Sequence, residues 1–322
     1  MKPIAIIAGE PNSISSEIIF KAWKKRKKYH HKPFFIIGSI KVLELQSKKL
    51  KYNIKIKKLD NKFKSHYLSK NYLHVYNVDY NQKKPFEKIS QKSKKYIFNC
   101  FELALKLIKN KQILGFINCP ISKENLFNNN YQGITEFLAK NSNKLGNEVM
   151  LIYNKELAVS PITTHIPINI VSKKLNKNMI INKVKIINYF YKTFLKKKPN
   201  IGILGLNPHN FSPSKNSEEK KIIIPAIKSI KKLKIKVIGP ISPDTSFMQY
   251  KKIKLDVLVG MYHDQVLLPF KSLFNYNAIN VTLGLPYFRV SPDHGVGENI
   301  IGKNKANPKS LVESIKFFNL IK

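Results

Sequence analysis

Arginine is nearly missing from this chain of 322 residues: only Arg26 and Arg289 occur among 58 basic side chains. Lysine carries the rest, and against 19 acidic residues it leaves a formal charge of +39. Proteins that read nucleic acid favour arginine, whose planar fork matches guanine and phosphate, and they gather charge on one face. Here lysine is scattered through every segment beside Asn and Ile, which argues against specific nucleic-acid recognition. What remains is a weak, salt-sensitive pull on anions, small anionic substrates included. Cysteine is scarce too. Cys100 and Cys119 make no CxxC pair and no disulfide framework, so reduced thiols and a cytoplasmic setting are expected. No apolar run approaches the ~18 residues of a membrane span. The run in MKPIAIIAGEP is closed by Gly9, Glu10 and Pro11 too early for a secretory signal. Glycine is limited to 13 residues, and Gly-x-Gly-x-x-Gly, HxxH and HExxH are all absent. No short-range fingerprint for a dinucleotide or a metal is therefore present.

What is there alternates. Apolar runs at Ile4–Ala8, Phe34–Gly38, Leu114–Asn118, Ile201–Leu206, Ile235–Ile238, Val257–Val259 and Ile279–Leu283 read as buried strands. Segments with helical spacing fall between them, among them 17–28, 41–49, 96–109, 133–142, 172–196, 218–232 and 308–320. Val149–Tyr153 and Ala158–Thr163 suggest a hairpin, and 239–245 reads as a loop. Residues 51–95 give no clear order. This alternation predicts an α/β fold with a mostly parallel sheet and helices on both faces. The length suits two domains.

Residues 255–297 dominate the functional reading. Two apolar runs there lead into chemistry: Tyr262-His263-Asp264-Gln265 after the first, and Gly284-Leu285-Pro286 followed by Arg289 after the second. In open α/β sheets ligands bind beyond the carboxyl ends of strands. Three of the eight histidines, His165, His209 and His263, each end a strand-like run. Strand ends that share a direction share an edge, so three imidazoles with an open position could form a catalytic divalent-metal site. The alternative is that each is a structural hydrogen-bonding residue. Lys271 and Arg289 supply cations for an anion, and Arg289 stands out in a chain that otherwise uses lysine. Its alternative is a loop-holding pair with Asp293 or Glu298. Asn280 presents an amide within its strand. Cys119, at a strand end, reads as a packing residue.

The order and content of IAIIAGEPNSISSEI, NCPISKENL, GITEFLA, EVMLIYNKELAVSPITTHIPI, LGLNPHN with SEEKKIIIPAI, GPISPDTSF, and MYHDQVLLPFK through NVTLGLPYFRVSPDHGVG resemble the 4-hydroxythreonine-4-phosphate dehydrogenase (PdxA) family over nearly the whole chain. The resemblance implies a two-domain α/β/α architecture of the isocitrate/isopropylmalate dehydrogenase type. The first domain would be 1–130 plus about 285–322, and the second about 131–284. It implies His165, His209 and His263 as ligands of a divalent metal (Zn, Mg or Co), and Thr135, Lys271, Asn280 and Arg289 as substrate contacts. It further implies NAD or NADP as cofactor, a phosphorylated small-molecule substrate, and a homodimer sharing its active site. The chemistry would be oxidation of 4-phosphooxy-L-threonine to a β-keto acid that loses carbon dioxide. No general base is identified, though Asp264 adjoins His263, and no cofactor-binding residue is assigned.

Three segments depart from the family pattern. Ile134 stands where the family has His before Thr. Glu10, Ser13, Ser15 and Ser16 replace the Asp, two glycines and second Pro of its GDPAGIGPE segment. The loop 211–217, glycine-rich in the family, has no glycine here. A related dehydrogenase of another phosphorylated hydroxy acid, such as 4-phosphothreonate, and a non-catalytic anion-binding paralogue therefore stay open. The choice of metal and of nicotinamide cofactor stays open as well.

Overall fold

The computed structural model describes residues 2–29, 31–60, 63, 68, 71–127, 134–142, 144, 146–210 and 216–321. His30, His66, Gly133 and residues 211–215 of the glycine-free loop lie outside the described residues. The chain divides into two compact units, Met1–Phe137 with Pro286–Leu320, and Leu138–Leu285 with Ile321–Lys322.

The first unit opens with β1 (Ile4–Ile7), α1 (Ser15–Lys24), β2 (Phe34–Gly38), α2 (Ile40–Lys49), β3 (Ile56–Lys58) and β4 (Leu73–Asn77). It continues with α3 (Lys94–Lys109), β5 (Gly115–Asn118), α4 (Lys123–Phe127) and the start of α5 (Ile134–Asn141). Its strands are ordered β3-β4-β2-β1-β5, and a late strand described below flanks β5; every neighbouring pair is parallel. The sequence explains this. β1 and β2 read IAII and FFIIG and are buried along their whole length, as strands covered by helices on both faces must be. α1 buries Ile18, Ile19, Phe20 and Trp23, and Trp23 meets Phe34 edge-on at 5.7 Å.

From β1 the chain steps to β2 on one side and later to β5 on the other, a topological switch point. The turn after β1 packs tightly on the turn after β5. Gly9 has φ +75, the N–H of Glu10 donates to the Pro120 carbonyl at 2.9 Å, and a Cβ on Gly9 would lie 2.4 Å from that oxygen. Cys100 and Cys119 are buried and unbridged, and burial holds both thiols far above their usual range.

The second unit contains β6 (Val149–Tyr153), β7 (Ala158–Pro161), α6 (Ile168–Lys174), α7 (Lys177–Phe194), β8 (Ile201–Leu204) and α8 (Ile224–Lys232). Then come β9 (Val237–Ile241), α9 (Pro243–Gln249), β10 (Val257–Gly260), α10 (His263–Phe274) and β11 (Ile279–Leu283). The chain returns to the first unit with β12 (Phe288–Pro292), the strand that flanks β5, and α11 (Lys309–Phe317). Strands of the second unit are ordered β11-β6-β7-β10-β8-β9. β7, β10, β8 and β9 are mutually parallel, and β6 runs antiparallel to both β7 and β11. Two reversals therefore bring β11 back to the direction of β7. Ile152, Val159, Leu258 and Leu204 on the sheet pack against Val266, Leu267 and Phe270 of α10 to form one core.

Three expectations need correction. Arg289 does not follow a strand; it lies inside β12, a strand masked in the sequence by prolines 286 and 292. Residues 239–245 are not all loop. β9 runs on to Ile241, and α9 starts with Pro243 in its first turn, where a missing N–H costs nothing. Within 51–95 the chain contributes the parallel strands β3 and β4; the exposed lysines of β3 had broken the apolar pattern.

The close approach at Gly9 makes a direct prediction. Gly9→Ala should destabilise the protein by about 2–4 kcal/mol in urea unfolding, because both the dihedral and the space are lost. A loss under about 0.5 kcal/mol would contradict the described packing.

Candidate active site

Register brings the three singled-out histidines to one sheet edge. Pro161 of β7 aligns with Gly260 of β10, and Val259 aligns with Ile203 of β8. His165 comes four residues after Pro161, His263 three after Gly260 and His209 five after Leu204. All three thus follow the carboxyl ends of adjacent parallel strands. The rings of His165 and His263 are neighbours, with centroids 5.8 Å apart and planes at 40°. His209 is not brought into that pair. Its Nδ1 faces Asp244 Oδ2 at 3.3 Å, and its side chain is 76% exposed. Among the described residues no group of three His, Cys, Asp or Glu side chains is placed to hold a metal.

Carboxylates orient two of the rings. His263 Nδ1 lies 2.7 Å from Asp264 Oδ1 in a hydrogen bond, and Asp244 lies at ion-pair distance from His209. A carboxylate accepts, so Nδ1 of His263 is the donor in that contact, which in the neutral ring leaves Nε2 for a metal. Asp264, noted in the sequence only for its position, thus has a geometric role. Asp244 was not singled out at all. Its carboxyl is held below the usual range, first by the Ser242 hydroxyl and then by His209 and the Thr245 N–H.

The loops that carry these rings are pinned by residues the sequence reading missed. Thr163, two before His165, donates its hydroxyl to the Met261 carbonyl at 2.8 Å. Glu219 Oε1 accepts from the N–H groups of Leu206 and Asn207 at 2.8 and 2.9 Å, and its Oε2 accepts from the Asn207 amide at 2.8 Å. Burial pushes the Glu219 carboxyl up, but the donations from Asn207 and Leu206 outweigh it and leave the group below its usual range. His209 and Asn210 both adopt left-handed backbone, φ +53 and +57, so the chain reverses sharply at the candidate ligand. The spacing Leu204 to Glu219 gives no local motif from which these contacts could be read.

A second group of side chains lies in the first unit. Arg289 is 2% exposed. Its Nε donates to Asn118 Oδ1 at 2.7 Å and one terminal nitrogen donates to Thr135 Oγ1 at 3.4 Å. Two of the residues named by the resemblance, Thr135 on the first turn of α5 and Arg289 on β12, are therefore in contact, with Asn118 as an unforeseen third. Ile134 beside them is buried. In the second unit, Asn280 shares a register line with Ile152 and Val159. Its Oδ1 is buried with no hydrogen-bond partner among the described residues, a group that costs about 1–3 kcal/mol until something donates to it. Lys271 is exposed in the last turn of α10. It is eight residues, or about 12 Å of helix, from His263.

A profile of the family described as "Pyridoxal phosphate biosynthetic protein PdxA" matches residues 30–318. The chain belongs to the PdxA family. A 4-hydroxythreonine-4-phosphate dehydrogenase of a Sulfurihydrogenibium species is 40% identical, covering all of this chain and 99% of that protein. A D-threonate 4-phosphate dehydrogenase of Salmonella typhimurium is 31% identical over 98% of this chain and 97% of its own length. The crystal structure of a 4-hydroxythreonine-4-phosphate dehydrogenase from Klebsiella pneumoniae superposes with a TM-score of 0.85 at 27% identity, covering 99% of each chain. Members of the PdxA family named in these comparisons are dehydrogenases, so this chain is of an oxidoreductase family.

The donor set fits a divalent ion in part. Imidazole nitrogens lie about 2.0–2.1 Å from zinc, so two rings on one tetrahedral ion have centres on the order of 5 Å apart. The His165–His263 pair meets that spacing, and two of the three rings have a carboxylate on Nδ1. His209 is the ligand left to bring in.

Glu219 gives this geometry a pH signature. A carboxylate whose folded pKa is lowered stabilises the fold above the ordinary value of 4.5 and loses that effect as pH falls through its folded value. Glu219→Ala should therefore cost about 2 kcal/mol at pH 7 and less at pH 3, measured by urea unfolding at both. An equal loss at the two pH values would contradict the role assigned to the charge.

Proposed function

We propose that this protein is a metal-dependent, NAD(P)-linked dehydrogenase. It oxidises 4-phosphooxy-L-threonine to a β-keto acid, which decarboxylates to 3-amino-2-oxopropyl phosphate for pyridoxal 5'-phosphate synthesis. The observation that carries the reading is the buried Arg289 guanidinium in contact with Thr135. Arg289 is 2% exposed, and a guanidinium offers a planar fork to phosphate oxygens. In this reading Arg289 and Thr135 hold the phosphate, and Lys271 is kept as a proposed substrate contact on the family resemblance alone. Asn280 accepts from the substrate's amino or hydroxyl group through the oxygen that otherwise stays unsatisfied.

His165, His209 and His263 are the proposed ligands of a divalent ion such as Zn, Mg or Co. When bound, the ion supplies Lewis-acid polarisation of the substrate oxygen, and the dinucleotide accepts the hydride. Asp264, hydrogen-bonded to Nδ1 of His263, would orient that ring as a ligand, and Asp244 beside His209 would support the second. We further propose that the ligand set is completed in a homodimer. This is supported by Met248, Leu268, Leu273 and Tyr276, large apolar side chains of the second unit that are 82, 67, 52 and 52% exposed on or beside α9 and α10. We also propose a cytoplasmic setting; among the described residues no helix is long and apolar enough to cross a membrane.

One observation favours a second reading, in which the substrate is D-threonate 4-phosphate. Ile134 is buried next to Thr135, and its side chain cannot supply the hydrogen bond of the histidine that the family has at that position.

Turnover of both compounds by purified protein, followed by the absorbance of reduced nicotinamide with NAD or NADP and added Zn, Mg or Co, separates the readings. We expect kcat/KM for 4-phosphooxy-L-threonine to exceed that for D-threonate 4-phosphate by about tenfold or more. The reverse order selects the second reading, and no turnover together with no dinucleotide binding removes the dehydrogenase. In the same assay Arg289→Lys should lower kcat/KM about 100-fold, mostly through KM. An unchanged KM would show that Arg289 does not hold the phosphate.

A further inference from the structure

Gln265 sits two residues past His263 on the first turn of α10, and both ends of its amide are engaged. Oε1 accepts from the backbone N–H of Met261 at 2.6 Å, and Nε2 donates to the carbonyl of Gly205 at 2.8 Å. Met261 follows the end of β10 and precedes His263 by two residues. Gly205 follows the end of β8 and precedes His209 by four. One side chain thus bolts the loop that carries His263 to the loop that carries His209.

The space around that bolt is closed. A Cβ on Gly260 would lie 2.8 Å from Gln265 Oε1 and 2.5 Å from Val266 Cγ1, so the amide rests against the strand backbone. A Cβ on Gly205 would lie 1.9 Å from Asn210 Oδ1 and 3.3 Å from Glu219 Oε1. The neighbour of His209 therefore packs on the same residue that Gln265 grips. Thr163 joins the third loop to the Met261 carbonyl, so all three histidine-bearing loops hang from the segment 260–265.

We propose that Gln265 is a positioning residue for metal binding: it sets the spacing of the His209 and His263 loops and, through it, the geometry at the ion. The assignment rests on the proposed metal site. Only an amide of this length serves both partners. An ionised Glu accepts from Met261 but cannot donate to Gly205, Met does neither, and Asn is one methylene short.

The test is a cobalt(II) titration of the full-length protein, read by calorimetry and by the visible absorption of the bound ion, which reports its coordination geometry. Wild type is compared with Gln265→Glu, Gln265→Met and Asn154→Ala. Asn154 donates its amide to the Asn277 carbonyl at the opposite edge of the same sheet, so its loss reports general destabilisation. We expect both Gln265 variants to bind cobalt about tenfold or more weakly with a changed visible spectrum. Asn154→Ala should unfold at lower temperature yet keep affinity and spectrum. If Gln265→Met does not fold, Gln265→Glu, which keeps the Met261 bond, carries the comparison. Unchanged affinity and spectrum in the Gln265 variants would overturn the assignment. So would an equal spectral change in Asn154→Ala, or failure of both Gln265 variants to fold. Wild type that binds no cobalt would instead remove the metal site itself, and the assignment with it.

Discussion

The parallel pairing of β7, β10 and β8 is the constraint on which the candidate metal site depends. Parallel neighbours in fixed register end at a common edge, and residues a few positions past those ends are delivered to the same place whatever their separation along the chain. His165, His209 and His263 span about a third of the sequence, yet the alignments of Pro161 with Gly260 and of Val259 with Ile203 bring their loops together. A slip of one residue in either pairing would turn every side chain of a strand to the opposite face. It would also separate Thr163 from Met261 and Gln265 from Gly205. The backbone ladder and the side-chain bolts therefore specify the same arrangement.

The first unit solves a different problem with a related device. β12 lies beside β5 and carries Arg289 in register with Phe116; the long side chain reaches Asn118 at the end of β5. A guanidinium buried to this degree interacts strongly because little water screens it, and Asn118 and Thr135 help to fix its plane. In a chain with 58 basic residues, one arginine in a sheet is worth more to an anion than many lysines on the surface, since those are solvated and mobile.

Much of this was legible in the residues because buried parallel strands write themselves as short apolar runs. IAII, FFIIG and VLVG fall where β1, β2 and β10 are, and the histidines stand out because each interrupts such a run at its end. β3 and β12 were hidden for physical reasons. A strand at the sheet edge can expose lysines, as β3 does, and one bounded by prolines 286 and 292 reads as a loop. The candidate ligands could be named, but not their present partners. Asp244 reaches His209 from an element 35 residues away, and Gln265 and Glu219 act through backbone groups that leave no trace in composition. Asn280 showed the converse: its amide was visible in the strand, while the unsatisfied state of its oxygen appears only once the sheet is assembled.

The central claim is that the edge formed by β7, β10 and β8 carries a three-imidazole site. The most direct measurement is a crystal structure of the protein grown with zinc or cobalt, with the ion located by its anomalous scattering. The account predicts one strong peak per protomer, bound by nitrogens of His165, His209 and His263, the three contributed by one or both protomers of a dimer, at about 2.0–2.1 Å. A peak ligated by other residues, or none at this edge while the His165–His263 pair stays as described, would contradict it.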